Sequence, residues 1–399
     1  MKVSEQMSGR CFIRGAAGLL AWISLIACGD SVRTGVAPNY ETRSSINKEP
    51  AFRDIGMLSV NSLRELQPTE GSAFERVRSV TRVCADRIAI ADQVTSRIFL
   101  FNRSGQLERA IGGTGAGPGE FQHLNGAWPL GVDSILAWDG ILNRGTIFSC
   151  GDGVRVINLP NAAVSLGIGM ISDTTFVVGV PPSLPMVPLG AMQVDSIRLF
   201  YLHVGDATAT TGPTLPSSVQ FGQLWKGGRT SMPPPLSPAG IFAPTRDGLL
   251  YGWSAAYELF TVNSVLGRTP FLTRADRERI VTTETQSAWR SELMTRAPTA
   301  TLEEWQRYAD DAMFPSLAPA FDQVAGDDRG RVWVREYAKP GDTLAVWSVF
   351  DDDGRWSFDV RAPTGHRLML IADTIAWAVW ADQYGGEHVG AFVFQIPSR

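Results

Sequence analysis

Apolar and polar positions alternate in six short segments of the chain, each of which begins at or near an Asp-containing turn. The six segments span residues 84–92, 131–139, 171–179, 245–253, 327–335 and 371–379. A period of two is typical of a β-strand with one buried face. A second short strand soon follows each segment and in most cases runs into a turn with Gly, Asp or Asn. Each pair therefore predicts a β-hairpin.

The spacing of these hairpins predicts the architecture. The aspartates of the six turns, at positions 86, 133, 173, 247, 328 and 373, lie 47, 40, 74, 81 and 45 residues apart. A unit of roughly 40–50 residues has the size of a four-stranded propeller blade. The pattern therefore predicts an all-β fold, a six-bladed β-propeller, over residues 51–399.

The two longest intervals indicate insertions into this repeat. The first, at 181–244, is rich in Pro and predicts extended surface loops around a weak outer strand. The second, at about 274–315, predicts a small helical insertion, because the sequence TLEE at 301–304 matches a capping box and an amphipathic pattern follows it. A preceding helix over 283–296 completes a pair that we expect to pack against a blade or over one mouth of the propeller.

The last repeat contains only about three strands, so the ring needs another strand to close. An exposed sheet edge invites pairing with other chains, and a closed ring avoids it. The segment AFRDIGMLSV at 51–60 is strand-like and precedes the first full blade. We predict that this segment supplies the missing outer strand of the sixth blade and thereby fastens the two ends of the chain together.

The N-terminus has the pattern of an export signal. Three basic residues, Lys2, Arg10 and Arg14, precede an apolar run at 15–27. This run is too short to span a bilayer comfortably. Small residues occupy the end of the run, as a cleavage site requires. This arrangement predicts a removed export signal.

The sequence LIAC at 25–28 resembles the lipobox of bacterial lipoproteins, in which the cysteine becomes the lipidated N-terminus. The resemblance implies a signal peptide over 1–27 and lipidation of Cys28. The segment 28–50 is polar and lacks periodic apolar residues, which predicts a flexible tether. The protein would then be an extracytoplasmic, membrane-anchored lipoprotein of the periplasm or outer membrane, in contact with the membrane through its lipid only. An ordinary signal peptide or a short anchor is the alternative.

Charge and cysteine content narrow the functional classes. The formal net charge is −4, and residues 1–27 carry three basic residues and one acidic residue, so the mature chain carries −4 − 2 = −6. This balance argues against binding to nucleic acid.

Cys84 and Cys150 remain after export and lipidation. A disulfide between them is permitted, but two buried free thiols are the simpler expectation, because sequence spacing carries no information on distance.

Residues 87–121 carry the markers of a known repeat. Ala91-Asp92 ends one strand, Arg97-Ile98 begins the next, Gly105 lies in the following turn, and the sequence GTGAGPGEF occupies 113–121. These features resemble the NHL-type repeat, although the sequence SRI replaces the Asn-His-Leu that names the family. The mature chain as a whole resembles exported six-bladed propeller lipoproteins of environmental bacteria. The resemblance implies a fold rather than an activity.

Six-bladed propellers include metal-dependent lactonases and a zinc-dependent lyase, whose sites need ligands that converge on the central channel. We interpret each repeated strand as the inner strand of its blade, and the position at its end is occupied by Asp92, Asp139, Gly179, Trp253, Arg335 and Val379. Only the two aspartates are hard-metal ligands, and the four histidines do not fall at matching positions. We therefore predict no catalytic residue, no metal and no cofactor.

The sequence favours a noncatalytic binding or scaffolding module at the cell envelope. Its partner would be an envelope protein, a peptide or a glycan, bound on a face that carries Asp92, Asp139, Trp253 and Arg335, and the chain is expected to be a monomer. The tryptophans could also serve only in the core between blades. The alternative function is a divalent-metal-dependent, lactonase-like hydrolase with its site in the central channel.

Overall fold

The computed structural model describes residues 46–51, 55–59, 62–84, 86–159, 164–182, 186–245, 248–275 and 277–394. Cys28, the segment predicted as a signal peptide and most of the predicted tether lie outside the described residues. Within them the strands form six sheets that follow one another along the chain, which confirms the predicted six-bladed propeller.

Three short strands precede the first blade: β1 (Ile46–Asn47), β2 (Ile55–Met57) and β3 (Arg64–Leu66). Blade 1 contains β4 (Val77–Val83), β5 (Arg87–Asp92), β6 (Arg97–Phe101) and β7 (Leu107–Gly112). Blade 2 contains β8 (Leu124–Leu130), β9 (Ser134–Asp139), β10 (Arg144–Ser149) and β11 (Val154–Asn158). Blade 3 contains β12 (Leu166–Met170), β13 (Thr175–Val180), β14 (Met192–His203), β15 (Thr208–Trp225) and β16 (Gly228–Met232).

Blade 4 contains β17 (Gly240–Thr245), β18 (Gly248–Trp253), β19 (Glu258–Asn263) and β20 (Gly267–Arg274). Two helices follow it, α1 (Thr283–Arg296) and α2 (Leu302–Asp310), with a 3₁₀ turn at Thr299–Thr301 between them. Blade 5 contains β21 (Phe321–Gly326), β22 (Val332–Glu336), β23 (Leu344–Phe350) and β24 (Trp356–Pro363). Blade 6 contains β25 (Arg367–Ala372), β26 (Ile375–Ala381) and β27 (Glu387–Val393).

The first strand of each blade lines the central channel, because these strands contact one another around the ring. They are β4, β8, β12, β17, β21 and β25. The strands recognised in the sequence are the second strands of their blades. The interpretation of their ends as positions after the inner strands was therefore wrong by one strand.

The second strands are buried on both faces, and β5 shows why. Ile88 and Ile90 pack against Trp377 of blade 6, whereas Ala89 and Ala91 pack in the cluster shared with blade 2. Each blade packs between two neighbouring blades. The alternation along β5 therefore places large side chains on one buried face and small side chains on the other. The prediction of strands buried on only one face was wrong for this reason.

Blade 3 carries a β-extension in place of the surface loops predicted for the Pro-rich insertion. Residues 198–203 of β14 pair with β13, and residues 192–197 continue past its end. The partner strand β15 follows β14 as far as the pairing of Met192 with Phe221, and β16 adds a third strand to this extension. Pro216 lies at an irregularity in the pairing, where a residue without an N–H is tolerated.

Helix α2 packs against this extension, and α1 packs against α2. The indole rings of Trp225 on β15 and Trp305 on α2 lie 4.7 Å apart in an edge-to-face arrangement, and Tyr308 Oη donates to the carbonyl of Pro233 at 3.1 Å. Thr301 precedes α2, but its side chain makes no cap hydrogen bond, so the predicted capping box is absent. Thr282 instead caps α1 by accepting from the N–H of Thr285.

The N-terminal strands add outer edges to three successive blades. β1 pairs with β20 in blade 4, β2 pairs with β24 in blade 5, and β3 pairs with β27 in blade 6. The outer strand of blade 6 is therefore 64–66, and the prediction that 51–60 supplies it was wrong. Closure by the N-terminal segment remains, and the end of the predicted segment does reach blade 6: Leu58 forms an antiparallel bridge with Phe394, and the Ser59 N–H donates to the carbonyl of Val393.

Blades 1 and 2 are joined by a disulfide between Cys84 and Cys150, whose Cα atoms lie 5.7 Å apart. The expectation of two free thiols was wrong. A cross-link over 66 residues restricts the unfolded chain, which corresponds to about 4 kcal/mol of stabilisation in the chain-entropy description.

His388 on β27 holds the closing strand β3. Its Nδ1 lies 2.7 Å from Oε1 of Glu65 on β3, and its Nε2 lies 3.1 Å from Oδ2 of Asp382. Burial lowers the pKa of His388, but hydrogen bonds and charges from the two carboxylates outweigh burial and raise the pKa above its usual value. The protonated imidazole therefore binds the carboxylates of Glu65 and Asp382 and stabilises the pairing of β3 with β27.

We expect His388→Gln to destabilise the protein more at acidic than at alkaline pH. A raised pKa in the folded state gives stability below the unfolded pKa of about 6.5, and this stability is lost as the pH rises through the folded pKa. Urea unfolding near pH 5.5 and near pH 8.5 measures both values, and Glu65→Gln should show the same trend. Equal losses for His388→Gln at the two pH values would contradict this role.

Candidate functional site

Asp92 was predicted to lie on a ligand face, but its side chain is only 1% exposed. Its Oδ1 accepts from the backbone N–H groups of Arg76 and Val94, both at 3.1 Å, and its Oδ2 accepts from that of Glu75 at 3.0 Å. The carboxylate therefore fastens the end of β5 to the segment that enters β4.

Asp139 occupies the equivalent place in blade 2 and is fully buried. Its Oδ2 accepts from the N–H of Gln122 at 2.6 Å and of His123 at 3.2 Å. Its Oδ1 accepts from the N–H groups of Ile141 and Leu142, both at 2.9 Å. The recurrent Asp at the end of these strands thus satisfies loop N–H groups, and it does not present a carboxylate to the channel.

The other two predicted residues also have local partners. Trp253 packs at the edge of the cluster between blades 3 and 4. Arg335 makes a two-point ion pair with Asp322, with Nε–Oδ1 and Nη2–Oδ2 distances of 2.6 and 2.9 Å. Burial raises the pKa of Asp322, while Arg335 opposes the rise. The structure gives each of the four predicted residues its own environment rather than one common site.

A cavity of about 630 Å³ lies at the channel, and we call it the mouth cavity. Blades 1 to 4 contribute to it through the beginnings of their first strands and through the β-extension. Its lining includes Arg78 of β4, Asn125 of β8, Ile168 of β12, Asp195 of β14, Ser218 of β15 and Ile241 of β17. The volume lies within the range of about 300–1,000 Å³ that is typical of small-molecule sites.

The β-extension is fixed across the cavity by its contacts with blade 4. Tyr251 Oη donates to the carbonyl of Pro216 at 2.9 Å, and Ser218 forms an antiparallel bridge with Ala239. Gly240 makes this approach feasible, because a Cβ there would collide with the Pro216 carbonyl oxygen. One wall of the mouth cavity is thus held by specific contacts to a neighbouring blade.

Positive charge is in excess at the blade 1 side of the mouth cavity. Among the described residues, Arg78 has no hydrogen-bond or ion-pair partner. Burial lowers its pKa, as does repulsion from Arg76 and Arg367, whereas Glu387 raises it. Glu387 itself lies 2.7 Å from Nη2 of Arg367. The carboxylate of Glu387 is therefore already engaged by Arg367.

Asn125 stands beside this charge and is 7% exposed. Its Oδ1 accepts from the N–H of Gly167 at 3.2 Å, while its Nδ2 has no hydrogen-bond partner within the described ranges. Sequence reasoning missed Arg78 and Asn125 because it did not recognise β4 and β8. Two arginines four residues apart in an apolar strand, Arg78 and Arg82 of VRSVTRV at 77–83, are the signal that could have revealed Arg78.

The described residues form no group of three or more His, Cys, Asp or Glu side chains that could hold a metal ion. In the same part of the chain, no helix is both long and apolar enough to cross a membrane. The two aspartates that the sequence offered as metal ligands are engaged by backbone N–H groups, as described above.

Known proteins share this architecture. A family model described as a 6-bladed beta-propeller matches residues 57–129. The solved structure of a member of the duf4221 family from Bacteroides vulgatus has a TM-score of 0.53 at 10% identity, over 87% of this chain and 100% of that chain. The fold is a six-bladed β-propeller. No curated protein sequence matches the chain significantly.

Two other solved structures are similar over most of their length. A candidate exported protein from Bacteroides fragilis has a TM-score of 0.49 at 12% identity, over 88% of this chain and 99% of that one. Virginiamycin B lyase from Staphylococcus aureus has a TM-score of 0.40 at 12% identity, over 83% of this chain and 98% of that one. At such identities these likenesses concern the fold and carry no activity over to this propeller.

We expect Asp139→Ala to lower the free energy of unfolding by about 3 kcal/mol or more, because four N–H groups would lose a charged acceptor in the interior. Urea denaturation measures the change. The matched control is Asp133→Ala in the exposed turn before β9, which should change stability by no more than about 0.5 kcal/mol. If the two variants were equally stable, the structural role of Asp139 would be refuted.

Proposed function

We propose that this propeller is a lipid-anchored, extracytoplasmic binding module that holds part of an envelope protein, a peptide or a glycan in the mouth cavity without transforming it. The mouth cavity carries this proposal. It combines polar groups such as Arg78 and Asn125 with apolar walls such as Ile168 and Ile241, the mixture that gives a ligand site both affinity and orientation.

The β-extension supports the same proposal. It departs from the four-strand plan of the blades, and residues 195–197 and 217–218 on its strands line the mouth cavity. Helix α2 braces it through the contact of Trp305 with Trp225. An insertion that builds a wall of a cavity, and is itself held in place, is the arrangement expected of a ligand site on a rigid scaffold.

The N-terminal sequence supports the proposed extracytoplasmic location, and the disulfide is consistent with it. The lipobox-like LIAC at 25–28 places the anchor at Cys28. The bond between Cys84 and Cys150 suits an oxidising compartment outside the cytoplasm. The lactonase-like alternative is left as a prediction, and metal analysis of the purified protein would test it.

We expect Ser218→Trp to weaken ligand capture at least tenfold, because an indole there would occupy the mouth cavity. The measurements are capture of envelope components by the purified domain and binding of the domain to peptide and glycan arrays. The control is Thr210→Trp, an exposed position on the same strand β15. Both variants should keep the melting temperature of the wild type, and capture by Ser218→Trp at the wild-type level would exclude the mouth cavity as the site.

We expect Cys28→Ser to move the protein from the membrane fraction to the soluble fraction and to abolish labelling by a fatty-acid analogue. The reason is that the lipid on Cys28 is the proposed membrane contact. Fractionation of cells that express the full chain measures the shift. Unchanged membrane retention without a label would instead indicate a peptide anchor.

A further inference from the structure

The mouth cavity carries opposite charges on different walls. Arg78 belongs to blade 1 and Asp195 to the β-extension of blade 3, and Asn125 of blade 2 lies between them in the ring. Arg78 and Asp195 both line the cavity, yet no ion pair joins them. A ligand with a single charge would leave one of these two groups without a partner.

Blades 1 and 2 offer hydrogen-bond donors to a ligand. The guanidinium of Arg78 has five N–H donors and no acceptor, and Asn125 Nδ2 adds an amide donor that is unpaired among the described residues. Arg76 and Arg367 increase the positive charge around Arg78. Such a set matches the two oxygens of a carboxylate, which a guanidinium binds at two points.

The β-extension side offers acceptors. Asp195 Oδ1 accepts from Nε2 of Gln193 at 3.1 Å, and its Oδ2 has no hydrogen-bond partner in the described part of the chain. The hydroxyls of Ser196 and Ser218 line the same part of the cavity. A carboxylate beside hydroxyl oxygens matches an ammonium group, which has three donors and no acceptor.

Apolar side chains also line the mouth cavity. Leu166, Ile168 and Ile241 contribute to the lining. A sphere of the cavity's volume is about 11 Å across, and two or three extended residues span roughly 7–11 Å. The space therefore fits a di- or tripeptide.

We propose that the mouth cavity binds a short peptide with both termini free, its carboxylate at Arg78 and Asn125, its ammonium at Asp195 and an apolar side chain against Ile168 and Ile241. This proposal rests on the proposed function, since it takes the mouth cavity as the ligand site. It narrows the ligand from a protein, peptide or glycan to a zwitterion.

Calorimetric titration with the tripeptide Ala-Leu-Ala in four forms tests the two poles separately. The forms are the free peptide, the C-terminal amide, the N-acetylated peptide and the doubly blocked peptide. The wild type should bind the free form at least tenfold more tightly than either singly blocked form. Arg78→Gln should bind the free acid and the amide equally and keep its preference for the free amine, and Asp195→Asn should show the converse.

Arg82→Gln is the matched control, because Arg82 lies on the same strand β4, four residues from Arg78, outside the cavity lining. This variant should keep both preferences. Equal affinity of the wild type for all four forms, or binding of none of them, overturns the zwitterion proposal. If the wild type captures an envelope ligand and Ser218→Trp does not, the proposed function stands whatever the calorimetry shows. If the wild type binds the free tripeptide but captures no envelope ligand, only the proposed envelope partner is contradicted.

Discussion

The packing of each sheet against two neighbours is the interaction on which the rest of the structure depends. A blade such as blade 1 has no solvent-facing side at its second strand, where Ile88 and Ile90 meet blade 6 and Ala89 and Ala91 meet blade 2. Removal of one neighbour would expose such a face, so the ring is stable only when it is closed. The pairing of β3 with β27 and the disulfide between blades 1 and 2 both serve this closure.

The contact between blades 4 and 5 includes a buried ionic network. Arg274 is 4% exposed, its Nη1 lies 2.6 Å from Glu336 Oε1, and its guanidinium lies 3.9 Å from the centre of the Tyr257 ring. Arg277 joins the same network through Glu336 and Asp359. Buried ion pairs tolerate little displacement because their desolvation must be offset by close geometry. The network therefore fixes two blades that the helical insertion separates in sequence.

The same packing explains why the strongest sequence signals were not ligand contacts. Asp92 and Asp139 end the second strands of blades 1 and 2, where each satisfies N–H groups of the segment that enters the first strand of its own blade. Ser254 does this in blade 4, where its Oγ accepts from the N–H of Ala239 at 2.9 Å. A polar residue that recurs at the same place in more than one blade therefore serves the fold of those blades. A binding site differs from blade to blade and is carried by residues that do not recur, such as Arg78 and Asp195.

The sequence alone determined the number of blades, the position of their second and third strands and the helical character of the insertion, because each of these depends on local periodicity and turn chemistry. The tertiary structure decided the rest. Which N-terminal segment closes blade 6, whether Cys84 meets Cys150, and how the Pro-rich insertion pairs as a β-extension all depend on distances between residues far apart in the chain. The mouth cavity belongs to this second group: it exists only where four blades and the extension converge, and local patterns carry no record of that convergence.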